Sequence, residues 1–189
     1  SIKFEYEVKD SALYIKQKTP KKAWWGGMRN QQCRMTLTVP EETAMKNMDL
    51  KVAMGNISVE GITSSDCDAL TNMGSCTFKK CSFDKSDLRT NMGDITIKDT
   101  ALGEAEVDND MGSIQIESCT FLNLNAENAM GDTSIDVSQN LDNFQIELEA
   151  GMGEVRVNGQ DEGRKYRQSG NAGKLEASTS MGSVRLSYK

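Results

Sequence analysis

Histidine is absent from all 189 residues of the chain. The side chain that most often acts as a general base near neutral pH, and that most often ligates transition metals, is therefore missing. Aromatic residues make up only 6% and the mean hydropathy is −0.55, which points to a thin core along an axis and away from a wide globular one. No apolar run approaches the ~18 residues of a membrane-spanning helix. No Cys-x-x-Cys pair occurs, so the usual spacing of a zinc site is missing. Between Asp99 and Glu154 there are 13 acidic residues and no Lys or Arg. With a net charge of −6 and a pI near 4.8, the body of the chain repels a phosphate backbone, and no nucleic-acid partner is expected.

Catalysis has equally little to stand on. Ser82-Phe83-Asp84-Lys85 fits a Ser-x-x-Lys string, but Phe83 falls at a core position and the companion motifs of that enzyme class are absent. Carboxylates are plentiful, yet no two stand out as an acid–base couple. We read the chain as not an enzyme, with no catalytic residues, no cofactor and no metal.

What the sequence does contain is a repeat. Met-Gly recurs every 19 residues at Met54, Met73, Met92, Met111 and Met130, then at Met152 and Met181 after gaps of 22 and 29. A period near 20 residues is the mark of a stacked-coil solenoid. With Met as position 0, positions 3 and 5 are apolar in nearly every copy, as in Ile57 and Val59, Cys76 and Phe78, Ile95 and Ile97, and Ile114 and Ile116. Positions 8, 10, 13 and 15 follow less strictly, for example Cys119, Phe121, Leu124 and Ala126. Alternation with period 2 between Gly, Asn and Asp is strand patterning. At ~3.3 Å per residue, 19 residues give about three short strands with corners between them. The expected fold is an all-β, single-chain β-solenoid (β-helix) of ~19-residue coils, stacked ~4.8 Å apart with columns of like side chains along the axis.

The glycine after each Met fits a corner that needs positive φ or close backbone approach, and Asn72, Asn91 and Asp110 before the next Met tolerate left-handed turns. The Met column is read as soft core packing, because an unbranched thioether fills irregular corners. A Met-rich copper or haem site is set aside because no His completes it. Cys67, Cys76, Cys81 and Cys119 fall at inward positions and are read as buried free thiols. Cys81 and Cys119 share a column two coils apart, about 9–10 Å, too far for a disulfide.

The regular period frays at both ends. Residues 1–34 are assigned as N-terminal capping strands with a basic, Trp-containing loop, and residues 35–189 as one continuous run of solenoid repeats. The last strand, from Met181 to Lys189, is expected at an open edge, where Arg185 and Lys189 discourage pairing with other chains. Because the chain opens at Ser1, an N-terminal signal or anchor is expected to have been removed.

The opening IKFEYEVKDSALYIKQK, the segment LTVPEE, the repeated MGxIxV units and the closing SMGSVRLSY together resemble a bacterial family of unknown function whose members are described as adhesins from their shape. The chain is also similar to the auto-transporter-head adhesin family of Gram-negative bacteria. The resemblance covers essentially the whole chain. It implies a β-solenoid placed outside the cytoplasmic membrane, at the cell surface or anchored to the membrane. The family motif carries no catalytic residues, so none transfers. Met regularly fills the place before Gly, where the family motif reads (S/T)-x-G.

Two basic segments interrupt the acidity. Residues 11–40 carry Lys16, Lys18, Lys21, Lys22, Arg29 and Arg34 with no acid, beside Trp24 and Trp25. Lys21, Lys22, Trp24, Trp25 and Arg29 are candidate contacts to an anionic envelope polymer, a glycan or an anionic membrane surface, where aromatic faces and cations act together. The same residues could instead form a cap with solvated cations. The long excursion 158–173 adds Arg164, Lys165, Tyr166 and Arg167 as candidates, set against a merely mobile loop. The outward column Asp68, Asp87 and Glu106 is read as a solvated acidic face in preference to a Ca²⁺ site. The ladder Ser58, Thr77 and Thr96 is too short for ice or carbohydrate binding. The function expected is a non-catalytic adhesion or interaction module of the cell envelope, with a protein partner also open. The alternative is the extracytoplasmic sensor domain of a membrane-anchored stress-response protein.

Overall fold

A computed structural model describes residues 3–18, 34–40 and 43–189. The chain divides into two compact units, Ser1–Val39 and Pro40–Lys189. In the first, β1 (Lys3–Lys9) and β2 (Ala12–Lys18) form an antiparallel hairpin, with Lys9 opposite Ala12. Asp10 and Ser11 turn it with φ of 51° and 61°, the two left-handed residues of a type I′ turn, whose twist matches that of the strands. Residues 34–40 contain no strand.

The second unit is a β-solenoid. Its first turns pair a long strand with a short one: β3 (Ala44–Met54) with β4 (Ile57–Glu60), β5 (Thr63–Met73) with β6 (Cys76–Lys79), and β7 (Ser82–Met92) with β8 (Ile95–Lys98). β9 (Ala101–Met111) runs into β10 (Ile114–Met130), which serves as the short strand of one turn and the long strand of the next, and β11 (Thr133–Val137) completes the fifth turn. Each long strand holds two straight runs. Ser65 and Lys85's neighbour Asp84 take no ladder partner, and the inward residues Ser64 and Cys67 are three apart instead of two, so the strand bends there. With the short strand, this makes the three straight runs per coil that the alternation predicts.

The inward positions fill the axis. Phe78, Leu88, Ile95, Ile97, Ile114, Ile116 and Leu124 are fully buried, each contributing about 1.5–3 kcal/mol by leaving water. Phe78 and Phe83 meet edge to face at 6.0 Å. Cys67, Cys76, Cys81 and Cys119 are buried free thiols. A seventh inward column, two residues before Met, is polar in five coils: Thr71, Thr90, Asn109, Asn128 and Thr179 are all buried, and only before Met152 and Met54 is it apolar, with Ala150 and Val52.

The Met-Gly corner explains that column. The repeat glycines take φ between 134° and 149°, and a Cβ on Gly93 would lie 2.1 Å from the Gly74 carbonyl oxygen of the coil below. Both reasons for glycine therefore apply at once. Four of the corner carbonyls are met by the polar column: the Asn109 Nδ2 donates to Gly93 O at 3.0 Å, Asn128 to Gly112 O at 2.9 Å, and the Thr71 and Thr179 hydroxyls to Gly55 O and Gly131 O. On the outer side, the residue after the glycine accepts from the next coil at several corners, as when Ser113 N donates to Asp94 Oδ1 at 2.8 Å and Ser183 N donates to Asp132 Oδ1 at 2.9 Å. Left-handed residues also occur at a second corner, at Gly61, Lys80, Asp99 and Ser118.

The Met column does not pack in the core. Met73, Met92, Met111, Met130 and Met181 are 39–44% exposed, and Met54 and Met152 are 74% and 61% exposed. Strand parity alone would turn Met inward, two residues after the buried Thr or Asn, but the chain turns at Met and leaves it outside.

Spatial order departs from chain order at the far end. After β11 the chain climbs past one layer to β12 (Gln145–Met152) and β13 (Val155–Val157). It then makes β14 (Gln160–Asp161) and β15 (Lys165–Gln168), which pair antiparallel with β13 and β12. Only then do β16 (Lys174–Met181) and β17 (Val184–Ser187) fill the gap: β16 lies between β10 and β12, and β17 between β11 and β13. The closing strand is thus interior, not the open edge expected from the sequence. Among the described residues the stack holds seven layers, with long strands in the order β3-β5-β7-β9-β10-β16-β12. At the departure point the Gln139 side chain takes the place of a strand, bonding both Phe121 N (3.0 Å) and Phe121 O (3.1 Å).

Candidate interaction surface

The outward face of the long strands carries three charged columns. One runs Asp49, Asp68, Asp87, Glu106 and Asn125 in ladder register. Successive coils repeat the acid every ~4.8 Å, which alone is mutually repulsive. Arg89 relieves much of it. Its Nε lies 2.7 Å from Asp87 Oδ1 and 3.3 Å from Asp108 Oδ2, and its Nη2 lies 3.8 Å from Glu106. Asp87 pushes the guanidinium pKa up. Partial burial raises the Asp108 carboxyl, and Arg89 pulls it back down. Lys85 reaches Glu104 at 3.6 Å and Lys174 reaches Glu176 at 2.7 Å. Residues of these columns line a shallow, open groove of about 600 Å³.

Among the described residues no group of three or more Cys, Asp or Glu side chains is arranged to hold a metal ion. Asp68, Asp87 and Glu106 point the same way on three successive coils, yet Asp87 and Glu106 spend their charge on Arg89. The Arg89 clamp escaped the sequence reading. Its signal was present, since Asp87 lies on the same strand face two residues away and Asp108 follows Arg89 by one 19-residue period.

The short-strand face carries Ser58, Thr77, Thr96, Gln115 and Ser134 in one column, ending in Arg185 and Arg156. Arg185 pairs with Asp132 at 3.1 Å. The Ser183 amide first, then Arg185, holds the Asp132 carboxyl below its ordinary pKa.

Lys21, Lys22, Trp24, Trp25 and Arg29 lie outside the described residues. The second basic cluster sits on the terminal cap. Lys165 on β15 pairs with Glu149 at 2.8 Å, and Arg167 pairs with Glu147, both across to β12. Tyr166 between them is half-buried against the core, where burial and nearby Tyr188 raise its pKa. The Arg164 carbonyl accepts from Ala150 N at 2.9 Å, and its side chain is exposed. The excursion is an end cap whose antiparallel strands close the parallel ladder, and the cap presents its cations at the rim.

A family model matches the chain over residues 2–189. The chain belongs to the Toastrack DUF4097 family. Among solved structures it is similar to a protein from Clostridium sporogenes proposed to act in cell adhesion, with 15% identity over 100% of this chain and 76% of that one, and a TM-score of 0.34. No curated protein matches the chain. Among the described residues of this Toastrack chain, no helix is long and apolar enough to cross a membrane.

Proposed function

We propose that this Toastrack chain is a non-catalytic adhesion module of the cell envelope, held outside the cytoplasmic membrane, that binds an anionic polymer, glycan or membrane surface. The observation that carries the reading is the filled axis. The inward columns from Ile57 to Leu186 are packed with side chains, so contact with a partner falls to exposed residues.

Charge then selects among those residues. The stretch from Asp99 to Glu154 has 13 acids and no base, and it forms solenoid layers that repel an anionic ligand. The cations of residues 16–34, with Trp24 and Trp25, and the cap residues Arg164, Lys165 and Arg167 are the places where an anion is attracted. Lys165 and Arg167 are tied to Glu149 and Glu147, which leaves Arg164 and the N-terminal segment as the stronger contacts.

The test is co-sedimentation of the chain with anionic liposomes and with isolated cell-wall polymer across a salt series. A Trp24→Ala, Trp25→Ala variant and an Arg164→Ala variant run in parallel. The reading expects binding that weakens with salt and falls in the variants while circular dichroism is unchanged. Binding indifferent to salt and to both variants, or no binding to either material, would overturn it.

A further inference from the structure

The exposed methionines are the feature this function does not use. Seven of the chain's 11 methionines fall in one column: Met54 pairs with Met73, Met73 with Met92, Met92 with Met111, Met111 with Met130, Met130 with Met181, and Met181 with Met152. The exchange of the last two coils does not disturb it, because Met181 and Met152 return to the column although the chain reaches them in reverse order. At one residue per coil the column's backbone positions repeat every ~4.8 Å over about 29 Å.

Exposure shows how the side chains lie. The five interior members are 39–44% exposed, whereas Met54 and Met152, each with a ladder neighbour on one side only, are 74% and 61% exposed. The interior members are thus shielded in part by a coil on either side, and the register repeats a thioether side chain on every coil at the solvent boundary. The column supplies what a soft metal ion needs: polarisable thioether donors, closely and repeatedly spaced, on unbranched side chains that can converge. A thioether site for a soft monovalent ion has no need of imidazole, so the absence of histidine no longer weighs against it.

We propose that the interior of this column, Met73, Met92, Met111, Met130 and Met181, is a binding site for soft monovalent metal ions of the Cu(I) or Ag(I) type, each held between thioethers of successive coils. Every coil repeats the donor, so an ion can occupy any adjacent pair, and the site is a strip instead of a single pocket.

The test is anaerobic titration of the full chain with Cu(I) in competition with bicinchoninate, whose coloured Cu(I) complex reports the copper left unbound. The quintuple variant Met73→Leu, Met92→Leu, Met111→Leu, Met130→Leu, Met181→Leu keeps the apolar volume, removes five donors and leaves no two adjacent thioethers in the column. Wild type should draw Cu(I) from the chelator, and the variant should do so at least about tenfold more weakly. In parallel, Ag(I) added to wild type with labelled methionine methyls should shift the column signals and leave that of Met48, which packs on the core, in place. Equal uptake by the variant would assign the metal to the thiols and overturn the proposal. So would no uptake by wild type, or methyl shifts outside the column. The methyl measurement needs only wild type and decides the matter even if the variant fails to fold.

Discussion

Adding one methyl group at Gly93 should cost far more than the same addition at Gly61. At Gly93 the new Cβ would lie 2.1 Å from Gly74 O and 2.5 Å from Gly74 C, on a backbone with φ of 143°. Relieving that overlap requires the two coils to part by about 1 Å, since an ordinary contact lies beyond ~3 Å. The parting would stretch corner hydrogen bonds that are already at normal length, Gly74 N to Met92 O at 2.8 Å and Cys76 N to Asp94 O at 2.9 Å. Each such bond is worth about 1 kcal/mol net, and the backbone conformation adds roughly 1–3 kcal/mol for any residue other than glycine. Gly93→Ala should therefore destabilise by about 4 kcal/mol, moving a urea midpoint by roughly 2 M at an m-value near 2 kcal/mol/M. Gly55 is the internal control. It has the same φ class at 134°, but it sits on the first coil, where the nearest atom to a Cβ is Val52 Cγ1 at 3.5 Å. Its alanine variant should show the backbone cost alone. Gly61, with φ of 69° and nothing within 4 Å, should lose only about 1 kcal/mol, because Lys80, Asp99 and Ser118 occupy the same corner on later coils. Urea unfolding followed by far-ultraviolet circular dichroism gives the order. If Gly93→Ala and Gly61→Ala lose the same stability, the glycine column is not a line of close approach and the stacking argument fails.

Asn109→Ala should cost about 1–3 kcal/mol by urea unfolding, since it removes the donor to Gly93 O and opens a buried gap. Asn109→Thr should recover most of this, because Thr71 and Thr179 bond the equivalent carbonyls. The buried thiols predict alkaline weakening. Burial pushes Cys67 up to about 12 and Cys119 up to about 11, from 9.0, so the fold keeps them protonated while the unfolded chain ionises them. Their contribution is complete below pH 9 and is lost as the pH rises toward 11–12, by up to roughly 2 kcal/mol per thiol at pH 10.5. Urea midpoints at pH 8 and 10.5 under reductant should show it, and Cys67→Ala should lose its share of the slope. Ending the chain at Gly173 should abolish the cooperative transition of the whole far end. It removes an interior layer that contacts strands on both sides, whereas loss of a true end repeat costs one interface. Limited proteolysis should then cut within residues 138–173.

The sequence discloses most of what is periodic and little of what happens at corners. Positions 3 and 5, 8 and 10, and 13 and 15 are each read correctly as alternating pairs, because side-chain direction in a strand repeats every two residues, and the three-residue steps between the pairs mark the bends. Ile95, Ile97, Leu102, Ala105 and Val107 are accordingly buried. The glycine reading also holds, down to both of its causes. Met fails because parity extends only as far as the strand does: counting on from buried Asn109 places Met111 inside, and the turn places it outside. The inward Thr and Asn column was hidden by its composition, which looks like turn residues until the orphan glycine carbonyl is known. The coil exchange left a trace in the Met-Gly gaps of 22 and 29, but length alone does not distinguish a wider coil from a crossing. Of the candidate surface, the acidic columns are legible from the 19-residue period. The partners of Lys165 and Arg167 are not, because they depend on an antiparallel cap that breaks that period.

The exchanged coil and the cap have one physical consequence in common. A parallel solenoid offers unpaired backbone groups at both ends, and any chain with the same repeat can add to them. At the far end the last layer to be made is enclosed between two others. The outermost layer is instead covered by β14 and β15, which run antiparallel to it. Another parallel coil cannot continue from strands of that direction, and the ion pairs Lys165–Glu149 and Arg167–Glu147 place charge across the junction where an added strand would dock. At this end the stack therefore stops at the seventh layer of the described residues. Every column that runs its length, whether of carboxylates, hydroxyls or thioethers, has a set number of members. Closing the far end is what gives that repetition a defined limit there.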